Sequence, residues 1–586
     1  MMILLSKDWN MDTIIIVFKY VAIFLATYFT LNHTILRNFK LKGKLPPSPF
    51  LSFPIIGHLY LFKKPIHRSL ARLAAHYGPV LYLRMGARNV LLLSSPEAVE
   101  ECLVKSDVFV DRPRLLPGKH GGNNYTNIAW SPYGDHWKNL RRIAAVEMLS
   151  PQRLQILSGI RAKVARSFIS RVMKESAENG GIVEMKSACF GLTLDNMMRM
   201  LIGKSNYDEE ARKGTTEASR RFQQIVEGSF RVSGVNNLED FLPFLRWFRV
   251  FLGSPENFMK KLTKEKNEFM QGLMKEHREL ESEGRLSDGR KRAMIHVLLS
   301  LQKEDPQYYS DDMIGSLILS FHRRFPACSY HHQAISGHHE THPFPRHTHP
   351  VLREIHPVLR DTHPVLHQVL RRSFKALFQG GTDTSAATIE WAMSLLVNNP
   401  DVLKKAQEEM DRNVGNNRLV EESDKNNLPY LQCIINETLR MYPTGPTGLP
   451  HESRGDFKVG KYHVPKGSML IYNIWAVHND PKIWDEPWKF KPERFVGVGL
   501  GVEKSKVVGY KFMPFGAGKR ICPGEHLAVK VMWLGVAILI QCFEWERIGE
   551  ELVGMEESGG VSLTKIDPLQ AKCRTRPTMM HVLSQF

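Results

Sequence analysis

No Cys-x-x-Cys pair occurs in this 586-residue chain, and its seven cysteines (Cys102, Cys189, Cys328, Cys433, Cys522, Cys542 and Cys573) are irregularly spaced. An odd, unpatterned set of thiols in a long chain excludes a disulfide scaffold and points to a reducing compartment. Acidic residues are in deficit: 60 Asp and Glu against 79 Lys and Arg give a net charge of +19. The basic residues are scattered, without the interleaved aromatic platform on which a nucleic-acid binder stacks bases. The charge therefore points to an acidic protein partner or a membrane surface, and to no nucleic acid. Global disorder is excluded as well, because 43% hydrophobic and 10% aromatic residues can bury a sizeable core.

One long apolar run is present, over residues 13–31. A helix crossing a bilayer core needs roughly 20 such residues. Lys19 interrupts the run, and near one end of the span it could snorkel to the headgroups. Arg37, Lys40, Lys42 and Lys44 follow and orient that flank toward the cytoplasm. No small-residue cleavage site follows the run, so it reads as an uncleaved anchor. The expectation is a membrane anchor over 1–36 and a basic, proline-rich linker over 37–50. Within the linker, Leu45-Pro46-Pro47-Ser48-Pro49 is stiff and extended. The globular body then spans 51–586.

In that body, residues 80–84 and 90–93 read as a strand pair turning at Gly86. Apolar residues at three and four spacings predict helices over 99–103, 137–149, 152–173, 258–280 and 401–410. Small strands return near 457–471. The fold class is mainly α with a minor β part. One stretch does not fit: residues 321–372 hold nearly half of the 24 histidines. They carry a short repeat, His349-Pro350-Val351-Leu352-Arg353, His356-Pro357-Val358-Leu359-Arg360 and His363-Pro364-Val365-Leu366. Proline in every copy forbids a continuous helix. A metal-binding His-rich tract is one reading. A functionless insert, such as translated non-coding sequence, is favoured, because no His and Cys are paired at zinc spacing.

The strongest chemical signal is Phe515-Gly516-Ala517-Gly518-Lys519-Arg520-Ile521-Cys522-Pro523-Gly524. A thiolate that ligates haem iron must stay deprotonated, which requires N–H donors and positive charge around it. Gly516 and Gly518 permit a tight loop that turns backbone N–H groups to the sulfur. Arg520 offers a fork suited to a carboxylate, Phe515 would limit water, and Gly524 lets a following helix start near residue 525.

This run resembles the haem-binding loop of the cytochromes P-450. Other segments resemble the family's motifs in the expected order. Trp137 and Arg141 match its Trp-x-x-x-Arg pattern, whose residues reach a haem propionate. Glu437 and Arg440 match its Glu-x-x-Arg helix, and a spacing of three puts both side chains on one face. Arg494, in Pro492-Glu493-Arg494-Phe495, completes the structural core behind the haem. His451 stands where relatives place a propionate-binding residue. Gly380-Gly381-Thr382-Asp383-Thr384-Ser385 resembles the oxygen-activation motif of the long central helix, with Asp383 and Thr384 as the catalytic proton relay.

The resemblance implies a single large haem domain of cytochrome P-450 fold behind an N-terminal transmembrane helix. It implies haem b as cofactor, with Cys522 as iron ligand. The protein would sit in the endoplasmic reticulum membrane, single-pass, with its catalytic domain in the cytoplasm. The reaction implied is monooxygenation with O2 and electrons from NADPH through cytochrome P-450 reductase. At finer grain the chain is similar to plant A-type enzymes, the isoflavone 2′-hydroxylase and sesamin synthase group. That implies hydroxylation of a small hydrophobic plant secondary metabolite: an isoflavonoid, a flavonoid or a lignan-like compound. Substrate contacts are expected from 114–127, 443–449 and 560–563, and a membrane contact from 241–252. The 321–372 insert interrupts the central helix between 311–319 and 376–394, and this departs from the family. The alternative is a catalytically disabled relative or a non-catalytic His-rich membrane protein. A haem-thiolate isomerase working without a reductase is a further rival.

Overall fold

The computed structural model describes residues 45–121, 124–201, 238–248, 274–286, 293–304, 381–498, 508–558 and 562–585, with single residues or short pieces within 15–28 and at 203, 261 and 271–272. The 321–372 insert, the helix start at 311–319, Gly380 and about half of the 13–31 run lie outside the described residues. In that run Ile15, Ile16, Tyr20, Ile23 and Phe24 are helical and exposed.

Helix α1 (Ile66–Tyr77) leads into β1 (Val80–Met85) and β2 (Arg88–Leu93), an antiparallel pair close to the expected one. The expected helix at 137–149 is α2 (Asp135–Ile143), which widens into a π turn over Ala144–Met148. The run at 152–173 is broken at Leu157: a short helix, Pro151–Ile156, precedes α3 (Ser158–Glu178). Strand β3 (Ile182–Glu184) and α4 (Met185–Leu201) follow.

The second half holds α5 (Asp383–Asn398), α6 (Pro400–Asn413) and α7 (Pro429–Met441). Strands β4 (His451–Glu452), β5 (Phe457–Val459), β6 (Tyr462–Val464) and β7 (Met469–Tyr472) follow, then the short α8 (Ile474–His478). The chain closes with α9 (Glu525–Cys542), β8 (Phe543–Glu546) and β9 (Gln570–Thr575).

The main sheet runs β1-β2-β7-β4, and β7 lies parallel to β2. Parallel neighbours need a crossover, and here the crossover is the helical body itself. The strands of the two chain ends thus meet beside the site. A second sheet, β3-β9-β8, closes the far side.

Helix α5 is buried on nearly every side, its polar Thr388, Glu390 and Ser394 included. It packs against α4, α7 and α9. At the crossing, a Cβ added to Gly535 of α9 would lie 2.8 Å from Ile389 and 2.9 Å from Leu192. Only a residue without a side chain lets the three helices approach this closely. Among the described residues, α9 alone is long and apolar enough to cross a membrane, and it is 83% buried inside the body as a core helix.

Candidate haem-thiolate site

The Cys522 loop is built by its own backbone. The Gly516 N–H donates to Met513 O at 3.0 Å, and the Cys522 N–H donates to Phe515 O at 3.0 Å. Gly518 opens a short 3-10 turn, Gly518–Arg520, with φ +71°. A Cβ there would sit 1.9 Å from the Leu103 carbonyl oxygen. Helix α9 begins at Glu525 directly after Gly524, as the glycine spacing predicts. The half-buried Cys522 thus faces the positive end of a helix. Burial pushes its thiol up. The N–H groups of Gly524 and Glu525 and the Arg141 guanidinium pull it back down, while the Glu525 carboxylate opposes them. Binding a metal cation would deprotonate such a sulfur outright.

Around this loop lies a set of buried cations. Arg520 donates from Nε to Val110 O at 2.9 Å and from Nη2 to Ser131 O at 2.7 Å. Its guanidinium carbon stands 4.4 Å from the Trp137 ring centroid. Trp137 itself donates Nε1 to Ile128 O at 3.0 Å. Arg112 donates to the carbonyls of Ala129, Leu449 and Pro450 at 3.1, 2.9 and 2.8 Å. His451 bonds Phe109 O through Nδ1 at 2.7 Å.

Desolvation, followed by the charge of Arg112, holds Arg520 down at about 8. Desolvation, followed by the charges of Arg112 and, more weakly, Arg520, keeps His451 neutral. Burial lowers Arg112 to about 10 and lowers Arg141 as well. The carboxylate that acts on Arg520, Asp111, is itself bonded to Arg454 at 2.9 Å. Arg520 Nη1 is buried without a hydrogen-bond partner among the described residues. Buried charge in this arrangement calls for an anion. A thiol at a helix start beside unneutralised guanidinium groups therefore fits a haem, which Cys522 would hold at the iron and the arginines at its carboxylates.

Behind the loop, Glu437 and Arg440 of α7 are both fully buried and joined twice, Nε to Oε2 at 2.7 Å and Nη2 to Oε1 at 2.8 Å. Arg494 adds a contact from Nε to Glu437 Oε1 at 3.2 Å. The spare donors of Arg440 reach the carbonyls of His478 at 2.8 Å and Pro487 at 2.7 Å. Every polar atom of this pair thus has company, which a buried ion pair requires.

On α5, Asp383 is fully buried and Thr384 partly so. Thr384 O accepts the Thr388 hydroxyl at 2.8 Å. Further along α5, Thr444 of the 443–449 segment and Leu563 of the 560–563 segment are brought together beside Trp391. Trp391 of α5 stacks on Tyr442 with ring centroids 4.0 Å apart and donates Nε1 to Leu563 O at 2.9 Å. The Leu563 N–H reaches Thr444 O at 3.1 Å.

Phe515 lies in the loop with its ring packed on the core, and Gly524 lies within the sulfur's shell. Sequence reasoning missed Arg112. In Asp111-Arg112-Pro113 it has no motif, and only its long-range carbonyl partners mark it.

The family model for cytochrome P-450 matches residues 46–322 and 360–573. The chain is 40% identical to cytochrome P-450 81Q32 of Catharanthus roseus over 93% of this chain and 94% of that one. It is 36% identical to an isoflavone 2′-hydroxylase of Glycyrrhiza echinata over 97% and 99%. It is 37% identical to a (+)-piperitol/(+)-sesamin synthase of Sesamum radiatum over 97% and 98%. The chain belongs to the cytochrome P-450 family, and with it to the oxidoreductases whose haem iron is held by a cysteine thiolate.

Proposed function

We propose that this chain hydroxylates a small hydrophobic plant secondary metabolite of isoflavonoid, flavonoid or lignan type, with Cys522 as iron ligand. The observation that carries the site is the conjunction of the Cys522 loop with the unneutralised Arg112, Arg141 and Arg520 guanidinium groups. When bound, the haem supplies activation of O2 for insertion of one oxygen atom into a C–H bond. The chain's own residues prepare this. The N–H groups of Gly524 and Glu525 and the charge of Arg141 favour the thiolate. Arg112 and Arg520 hold the propionate edge, Trp137 supports Arg520 with its ring face, and the neutral His451 donates its one ring proton to Phe109 O. Asp383 and Thr384, in the first turn of α5, would relay protons into the site. Trp391, through Tyr442 and Leu563, sits where the 443–449 and 560–563 segments meet, and those segments would contribute the substrate contacts.

Electrons come from NADPH through a reductase whose acidic face suits a chain of +19. The 13–31 run anchors the enzyme in the endoplasmic reticulum membrane, with the body on the cytoplasmic side. The names of the isoflavone hydroxylase and the sesamin synthase support the substrate class. The test is reconstitution with reductase and NADPH against isoflavones, flavones and furofuran lignans, with product analysis by mass spectrometry. NADPH-dependent gain of one oxygen atom is expected. Turnover of none of these classes, with haem fully loaded, would overturn the substrate class.

A catalytically disabled product is the second reading. It is favoured by residues 323–359, which lie outside both segments that match the family.

A further inference from the structure

We propose that His478 is a positioning residue that suspends the Cys522 loop from the buried Glu437–Arg440 pair, an inference that rests on Cys522 being the iron ligand. His478 is the last residue of α8 and is fully buried. Its two ends face different parts of the machinery. Its carbonyl accepts Arg440 Nη1 at 2.8 Å. Its ring accepts the Met513 N–H at Nε2, also at 2.8 Å.

Met513 is where the loop begins: its carbonyl receives the Gly516 N–H, and two residues on, Phe515 O receives the Cys522 N–H. An unbroken path of hydrogen bonds therefore runs from the ion pair through one histidine to the turn that aims the sulfur. The ring is further fixed by Phe512, stacked at 5.4 Å and 27°.

The bond needs an acceptor, so Nε2 must be unprotonated and the single ring proton must sit on Nδ1. The surroundings enforce this. Burial, followed by the Arg440 charge, holds His478 down to about 3 against the smaller upward pull of the Arg440 and Leu439 carbonyls, and Nδ1 is buried without a hydrogen-bond partner among the described residues. The histidine is thus neutral at any working pH, which suits a fixed strut and not a switch. Asn473 secures the other end of α8, accepting the Ala476 N–H at 3.0 Å and donating to His67 O at 2.7 Å.

Three variants of the full chain separate a bond from mere bulk. His478→Leu fills the space without an acceptor. His478→Gln places an oxygen near where Nε2 stood. His478→Asn is polar, but its oxygen falls short. One readout is the rate at which iodoacetamide alkylates Cys522 in haem-free protein, followed by peptide mass spectrometry with buried Cys433 as internal control. The second is the fraction of haem-loaded protein giving the thiolate-type carbon-monoxide band.

Leu and Asn are expected to raise the Cys522 rate severalfold with Cys433 unchanged, and to lower the thiolate fraction. Gln is expected to stay near wild type on both. Unchanged Cys522 rates in Leu and Asn would overturn the role, as would a parallel rise at Cys433, which reports general loosening. Should Leu fail to accumulate, the order Gln above Asn decides alone. Cys522→Ser is the separate control: if it keeps the thiolate band, the sulfur assignment fails whatever His478 does.

Discussion

Arg520 lies over Trp137 with its guanidinium carbon 4.4 Å from the ring centroid, and its Nη1 has no hydrogen-bond partner among the described residues. The pair comes from two motifs nearly four hundred residues apart, and it leaves the Nη1 donor of Arg520 available for an anion. Arg520→Leu and Arg112→Leu are each expected to lower haem retention at least tenfold, since a desolvated charge pair is worth a few kcal/mol. Haem-to-protein ratio after dialysis measures it.

Glu437 and Arg440 are each fully buried. Removing one partner strands the other, at a cost of about 3–5 kcal/mol. Glu437→Gln should therefore unfold at markedly lower denaturant concentration, and Arg440→Leu should do the same. Arg494→Leu should cost less, because its contact is the longer one at 3.2 Å and its side chain is partly exposed. A urea midpoint series ranks the three. Equal midpoints for Arg440→Leu and wild type would remove the pair from the folding core.

What was legible in the sequence was whatever is local. The Cys522 loop, the Glu437–Arg440 spacing and the β1–β2 hairpin each write their geometry within ten or fifteen residues. The start of α9 after Gly524 is another such case. Arg112 and His478 were not legible as site residues. Their partners, Leu449 and Pro450 for one and Met513 for the other, are distant in the chain, and a lone Arg in a loop or His at a helix end has no period or spacing. The break at Leu157 was hidden for the opposite reason: apolar periodicity continues through it, so the pattern alone reads one helix where the backbone makes two.

Gly518 combines a left-handed φ of +71° with a neighbour that a Cβ would meet at 1.9 Å, the Leu103 carbonyl oxygen. Backbone on both sides cannot give way as a flexible side chain would. Gly518→Ala should therefore displace the loop and reduce haem loading severalfold, with global stability falling by only about 1–3 kcal/mol. Gly524→Ala is the contrast. Its added methyl would lie 3.9 Å from Cys522 Sγ, an ordinary contact, at a residue with φ −94°. It should load haem well but shift the position of the Soret band through the sulfur's hydrogen bonds. Both are read from absorption spectra of purified protein.

The segment at 323–359, outside both parts of the family match, lies shortly before α5. That helix carries Asp383 and Thr384 at its first turn and is enclosed by α4, α7 and α9. A close-packed interior transmits strain and has no room for extra chain. The resemblance to the family implies a continuous helix running up to Asp383, and the His-Pro repeats in 321–372 cannot supply that continuity, since each proline removes a helical donor. The full chain is therefore expected to load haem poorly. Deletion of 321–372 should raise the haem-to-protein ratio severalfold and bring the carbon-monoxide band to the family position, while Cys522→Ser in the same background should abolish that band. Equal haem loading and equal spectra with and without the segment would show that the body accommodates it and that α5 forms regardless.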